Sequence, residues 1–122
     1  MRSRGYPDHF AYSLTAITVS IIIWPMIKSF HGQGTEDVFD GKNSRIARSC
    51  CPRSLWTIAQ RKLDQINRVR DIVELAIPPG NRLERLHGER KDQYSIRIKQ
   101  QFRICFKWED GHAYEVEIVD YH

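Results

Sequence analysis

The sequence predicts an α+β domain in which N-terminal helices pack on one face of a small, mainly antiparallel β-sheet. Two observations carry this reading. Apolar residues recur at helical spacing before residue 70, and after Asn81 the period changes to two. A third supports them: Asp110-Gly111, a hairpin turn pair, sits between two alternating stretches. At 122 residues the chain has room for one such domain.

The first 25 residues stand apart. A basic start precedes LTAITVSIIIW, an uncharged stretch too short and too often interrupted by Ser, Thr and Pro25 for a good membrane span. No cleavage-site pattern follows it. We read 1–25 as an extension outside the domain, with translation starting at Met26, and expect no membrane association. The domain is 26–122.

From Met26 the elements follow in order. Met26–Phe30 is apolar enough for a first strand. Gly34-Thr35 offers a helix cap, with Glu36 and Asp37 suited to the positive helix end. This short helix stops near Gly41. Residues 42–51 are polar and basic and read as a loop. Pro52 fits the first turn of a second helix. Along that helix Leu55, Ile58, Ala59, Leu63, Ile66 and Val69 form one apolar face. A helical turn can continue through DIVEL before AIPPGN breaks it. Arg82–Leu86 can be a strand. Three hairpin-linked strands follow, with Tyr94, Ile96 and Ile98, then Phe102, Ile104, Phe106 and Trp108, then Tyr114, Val116 and Ile118 on the apolar face. The opposite face is expected to be bare and polar, with Arg97, Arg103 and Lys107 projecting beside Glu115 and Glu117.

Charge is unevenly placed. The formal net charge is +4, and eight basic residues lie between Arg82 and Lys107 against Glu84, Glu89 and Asp92. Such a field suits a phosphate backbone. Cross-strand ion pairs, worth roughly 0.2–1 kcal/mol each, are the other reading of the same residues. Cys50, Cys51 and Cys105 form an odd set without metal spacing, and no CxxC or HExxH occurs. They read as free thiols of a reducing cytoplasm, and no metal or other cofactor is expected.

The chain ends Asp120-Tyr121-His122. If the ligand is RNA, cleavage through its 2′-hydroxyl needs a base, an acid and a cation for the phosphate. An imidazole titrating near pH ~6.5 can fill either proton role. Asp120, two residues from His122 in a strand, shares its face. Arg103 offers a planar fork for phosphate oxygens. Tyr121 can stack or donate a hydrogen bond.

Four segments carry a resemblance: MIKSF at 26–30, IPPGNRLERLHGERKDQYSIRI at 77–98, FRICFKWEDGHAYEVEIV at 102–119, and the terminal DYH. Together they resemble the HigB branch of the RelE/ParE toxin superfamily, the toxin halves of bacterial type II toxin–antitoxin pairs. The resemblance implies two N-terminal helices on a small antiparallel sheet. It implies metal-independent endonucleolytic cleavage of messenger RNA in the ribosomal decoding site. The implied partners are the ribosome, the message and a helix-turn-helix, HigA-like antitoxin, with operator DNA reached only through that antitoxin. Matched residue by residue, it implies a catalytic set of Arg103, Asp120, Tyr121 and His122. Some toxins of this branch carry a catalytic His where this chain has Glu84, so Glu84 joins the set as a base and the division of proton roles stays open. Arg82, Arg85, Arg90, Lys91 and Arg97 are expected to hold RNA phosphates. Two alternatives share the fold: a ParE-like inhibitor of DNA gyrase, and an RNA-binding domain without catalysis.

Overall fold

A computed structural model describes residues 27–121. The expected extension at 1–25, the start at Met26 and the terminal His122 lie outside the described residues. Among the described residues three α-helices come first: α1 (Gln33–Asp40), α2 (Arg45–Cys50) and α3 (Trp56–Arg68). Four strands follow, β1 (Glu84–Arg85), β2 (Gln93–Lys99), β3 (Phe102–Glu109) and β4 (His112–Asp120). They form one antiparallel sheet in the order β1-β2-β3-β4. The α+β class and the layering agree with the sequence reading.

The apolar face of α3 explains its docking. Ala59, Leu63 and Ile66 are fully buried and meet Ile96, Ile104, Phe106 and Val116 of the sheet in one core. Each such aliphatic side chain contributes roughly 1.5–3 kcal/mol when buried. Trp56 was not among the expected face residues, yet it is buried, and its Nε1–H donates to the Cys51 carbonyl at 2.7 Å. Pro52 precedes a 3₁₀ turn (Arg53–Leu55) rather than opening α3 itself.

Residues 42–51 are not a loop throughout. Ser44 caps α2 by accepting from the Ala47 N–H at 3.0 Å, and its hydroxyl donates to Asp37 Oδ2 at 2.6 Å. The cap therefore ties α2 to α1, which polarity alone does not signal. Hydrogen bonds from Ser44 and Gln33 hold the Asp37 carboxyl below its ordinary range. The start of α1 also differs from expectation. Gly32 is its N-cap residue, and Thr35 lies inside the helix. Thr35 Oγ1 instead accepts from the backbone N–H of Ile118 at 3.0 Å.

That bond lies along the outer side of β4. Residues 27–30 run parallel to β4, bridging Ile27 to Ala113 and Phe30 to Val116. Between Cys105–Lys107 of β3 and Tyr114–Glu117 of β4 the ladder slips by one residue, a β-bulge in which Glu115 takes φ 53°. The displaced Glu115 N–H donates to Ser29 Oγ at 2.9 Å. The bulge also corrects the alternation read from sequence. Ala113, Val116 and Ile118 face the core, whereas Tyr114 pairs with Lys107 on the outer face. At the β3–β4 hairpin Asp110 and Gly111 have φ of 52° and 79°, as a tight two-residue turn requires.

Candidate active site

Strand parity defines the outer face. In register across it stand Glu84, Ser95, Cys105 and Glu117, with Arg97, Arg103 and Val119 one pair further along. The expectation of a bare, polar face fails here. Ser95 and Cys105 are fully buried, and Arg103 is only 9% exposed.

Arg103 is built in. Its Nε–H donates to Ser95 Oγ at 2.8 Å, and its Nη2 donates to the Arg82 carbonyl at 2.6 Å and the Ser95 carbonyl at 3.3 Å. The Glu84 carboxylate lies 3.8 Å from Nη2. Arg82 presents that carbonyl because it closes a 3₁₀ turn (Pro79–Asn81) in the left-handed conformation, φ 47°. The turn is anchored beneath by Asn81. This fully buried amide donates to Gln65 Oε1 at 2.9 Å and to the Leu75 carbonyl at 3.0 Å, and accepts from Lys62 Nζ. The Arg103 Nη1 amino group makes no hydrogen bond among the described residues, so they do not engage the whole of this fixed, charged fork.

Tyr121 lies just past β4, tied by its N–H to the Gln101 carbonyl at 2.8 Å. Its hydroxyl contacts Cys105 Sγ at 3.6 Å. Burial, then the contact with Cys105, pushes the phenol up to about 12. The phenol is thus neutral at physiological pH and serves as a hydrogen-bond donor or acceptor rather than as a base. Burial likewise raises the Cys105 thiol, which stays protonated.

The sequence-derived residues fall into groups. Glu84, Arg103 and Tyr121 share the outer face around Cys105. Asp120 pairs with Phe102 and so has the parity of Ile104 and Ile118, the other side of the sheet from Tyr121. Arg90 also reaches this face: its Nη1 donates to Gln93 Oε1 at 3.1 Å and lies 3.3 Å from Glu117 Oε1. Arg97 sits directly opposite Arg103. Arg85 stacks over the Tyr94 ring and pairs with Asp92 at 3.6 Å, while Lys91 is exposed near it. Ser95, Cys105 and Gln93 were missed by sequence reasoning, which placed Glu117 on this face but gave it no role. The signal existed: each shares parity with Arg103 once the hairpin register is fixed.

Among the described residues no group of three His, Cys, Asp or Glu side chains could hold a metal ion, and no helix is long and apolar enough to cross a membrane. A family profile described as the RelE-like toxin of type II toxin–antitoxin system HigB matches residues 28–122. The chain belongs to this family. It is 39% identical over 74 residues to Toxin HigB-1 of Vibrio cholerae serotype O1, a match spanning 61% of this chain and 74% of that one. It is also 39% identical over 60 residues to an uncharacterized protein of Haemophilus influenzae, covering 49% of this chain and 59% of that one. As a HigB-like toxin the chain is one half of a toxin–antitoxin pair. The sheet with α1 and α3 on one face and Arg103 on the other is this family member's version of a RelE-like fold.

Proposed function

We propose that this HigB-like toxin is a metal-independent endoribonuclease that cleaves messenger RNA on the translating ribosome and so arrests growth. The observation that supports it most is the fixed Arg103 guanidinium, with Glu84 on one side and the Tyr121 phenol beyond Cys105 on the same face. A scissile phosphate against the open edge of Arg103 would have its charge steadied without side-chain reorganisation. A base removes the 2′-hydroxyl proton. The 2′-oxygen then bonds to phosphorus, the bond to the 5′-oxygen breaks, and an acid protonates that oxygen, leaving a 2′,3′-cyclic phosphate. Glu84, more than half exposed beside Arg103, is assigned the base. His122 is assigned the acid, and Asp120, although on the other side of the sheet from Arg103 by strand parity, the orientation of its imidazole. Tyr121, held neutral, donates to a phosphate oxygen or stacks on a base. Arg82, Arg85, Arg90, Lys91 and Arg97 carry flanking phosphates. The toxin acts in the cytoplasm, and a helix-turn-helix, HigA-like antitoxin neutralises it and links it to operator DNA.

The test is induction of the full chain in a bacterial host, with transcript 5′ ends mapped for the parent, Glu84→Gln and His122→Ala. Codon-phased cuts within translated messages that disappear in His122→Ala are expected. Growth arrest with intact messages would overturn the nuclease reading and favour gyrase inhibition. Ribosome binding without cuts would favour an RNA-binding domain.

A further inference from the structure

Arg90 does not belong to the strand that carries Arg103. It leaves a 3₁₀ turn (Gly88–Arg90) between β1 and β2. Its two partners nevertheless lie on the outer face, Gln93 on β2 and Glu117 on β4. Those strands flank β3, so they stand about 10 Å apart, two strand spacings. A guanidinium that contacts both must lie over β3. Glu117 is in register with Cys105 and Gln93 with Lys107, which places Arg90 over the Cys105–Lys107 stretch of β3. This accounts for Cys105 being fully buried on a face that no helix covers.

The pair differs from its neighbours. Arg85–Asp92 and Lys107–Glu115 have side chains 46–70% exposed, whereas Arg90 and Glu117 are 34% and 27% exposed. Of the Arg103–Glu84 pair, only Arg103 is withdrawn from water. Arg90–Glu117 is thus the one pair among these four with both members mostly withdrawn, where geometry is held rather than sampled. The charges of Arg90 and Arg103 both act on the Tyr121 hydroxyl and the Cys105 thiol, favouring their ionised forms against the larger effect of burial. The two guanidinia, from separate elements, therefore lie within electrostatic reach of the same two side chains. Arg90 spends Nη1 on Gln93 and Glu117, and its Nη2 and Nε make no hydrogen bond among the described residues.

We propose that Glu117, assisted by Gln93, is a positioning residue that holds the Arg90 guanidinium over β3 beside Arg103, so that two arginines face the phosphate. This rests on the nuclease reading for its substrate. Glu117 itself touches no substrate; it acts through Arg90. An arginine at the end of a turn has many rotamers, and fixing one in advance removes the entropy cost of ordering it when the ligand arrives.

A double-mutant cycle tests the role. Cleavage of a short message programmed on ribosomes would be measured for the full chain, Glu117→Ala, Arg90→Ala and the double variant. Glu117→Ala is expected to lower kcat on the order of tenfold with a smaller change in KM. On the Arg90→Ala background the same change should cost less than about twofold, since Glu117 then has nothing to position. Glu117→Gln, which keeps an acceptor for Arg90, should recover part of the loss. Additive effects, or a gain in kcat on removing Glu117, would overturn the proposal; a gain would show that Glu117 competes with phosphate for Arg90.

A second measurement separates this from the nuclease reading. Inorganic phosphate is titrated into the labelled full chain while the arginine Nε–Hε resonances are followed. Arg90 and Arg103 should shift together in the parent, and Arg90 should cease to follow in Glu117→Ala. If the parent does not cut messages but both arginines respond, the nuclease reading fails and the positioning role stands. A response of Arg103 alone in the parent would refute the role of Glu117.

Discussion

Replacing Arg103 by Ala should first be a stability experiment. The side chain supplies two short hydrogen bonds, to Ser95 Oγ at 2.8 Å and the Arg82 carbonyl at 2.6 Å, and a weaker one to the Ser95 carbonyl at 3.3 Å. Hydrogen bonds from a charged donor contribute roughly 1.5–3 kcal/mol each, and a buried acceptor left unpaired costs a similar amount. Ser95 is fully buried, so its hydroxyl needs another partner once the guanidinium has gone. Against this, the variant no longer carries the desolvation of a nearly buried cation, and water can enter at the exposed edge. Taking the two short bonds and subtracting the recovered desolvation leaves about 2–4 kcal/mol of destabilisation. That is a large share of the roughly 5–15 kcal/mol typical of a domain. It corresponds to a drop in Tm on the order of 10–25 °C for a chain near this size. Urea denaturation followed by the fluorescence of Trp56 and Trp108 would measure it. A loss below about 0.5 kcal/mol would refute the claim that the fold depends on this guanidinium. If the loss is as large as expected, absence of toxicity in Arg103→Ala says little about phosphate. Arg103→Lys, which keeps the charge but cannot reach Ser95 and Arg82 together, then becomes the more informative variant.

Two further outcomes follow from the same geometry. Thr35→Val, nearly equal in shape, strands the Ile118 N–H at the edge of β4 and should cost about 1–3 kcal/mol; faster hydrogen exchange at the Ile118 amide is the specific check, and unchanged exchange would refute the role. Tyr121 should ionise at about 12 in an ultraviolet titration, with Tyr121→Phe removing that step. The sign follows from the raised value: the fold favours the neutral phenol, so its contribution is full below the ordinary 10.0 and declines as pH rises toward 12.

The meander and the main helix were legible because their periods are long enough to repeat. Ile96 and Ile98, Ile104 and Phe106, and the Ala59–Leu63–Ile66 face all lie where alternation and helical spacing place them. The Asp110-Gly111 turn fixes its hairpin by itself. The failures were local. Helix α2 has six residues, too few for a periodic signal, and rests on a cap that also bonds to Asp37. The Glu115 bulge shifts parity within one strand, which no count of alternating residues can foresee. For the site, Arg103, Glu84 and Tyr121 could be named from sequence, but not that Arg103 is buried. Nor could sequence show Arg90 crossing β3 to Glu117, because that contact spans 27 residues and follows from no local pattern.

The parallel pairing of residues 27–30 with β4 also bears on when the molecule can be finished. Ser29 and Glu115 stand 86 positions apart, and Thr35 and Ile118 83. During synthesis the helices and the β2–β3 hairpin can form as they emerge, whereas the edge stays unclosed until β4 has been made. Contacts of such separation are the slow ones, since a long loop must close before they return any energy. A chain stalled before β4 would expose both Ile27–Phe30 and the open side of β3, two surfaces prone to pairing with other chains. Closure of this edge therefore waits on the synthesis of β4, and a copy lacking β4 would leave both surfaces unpaired.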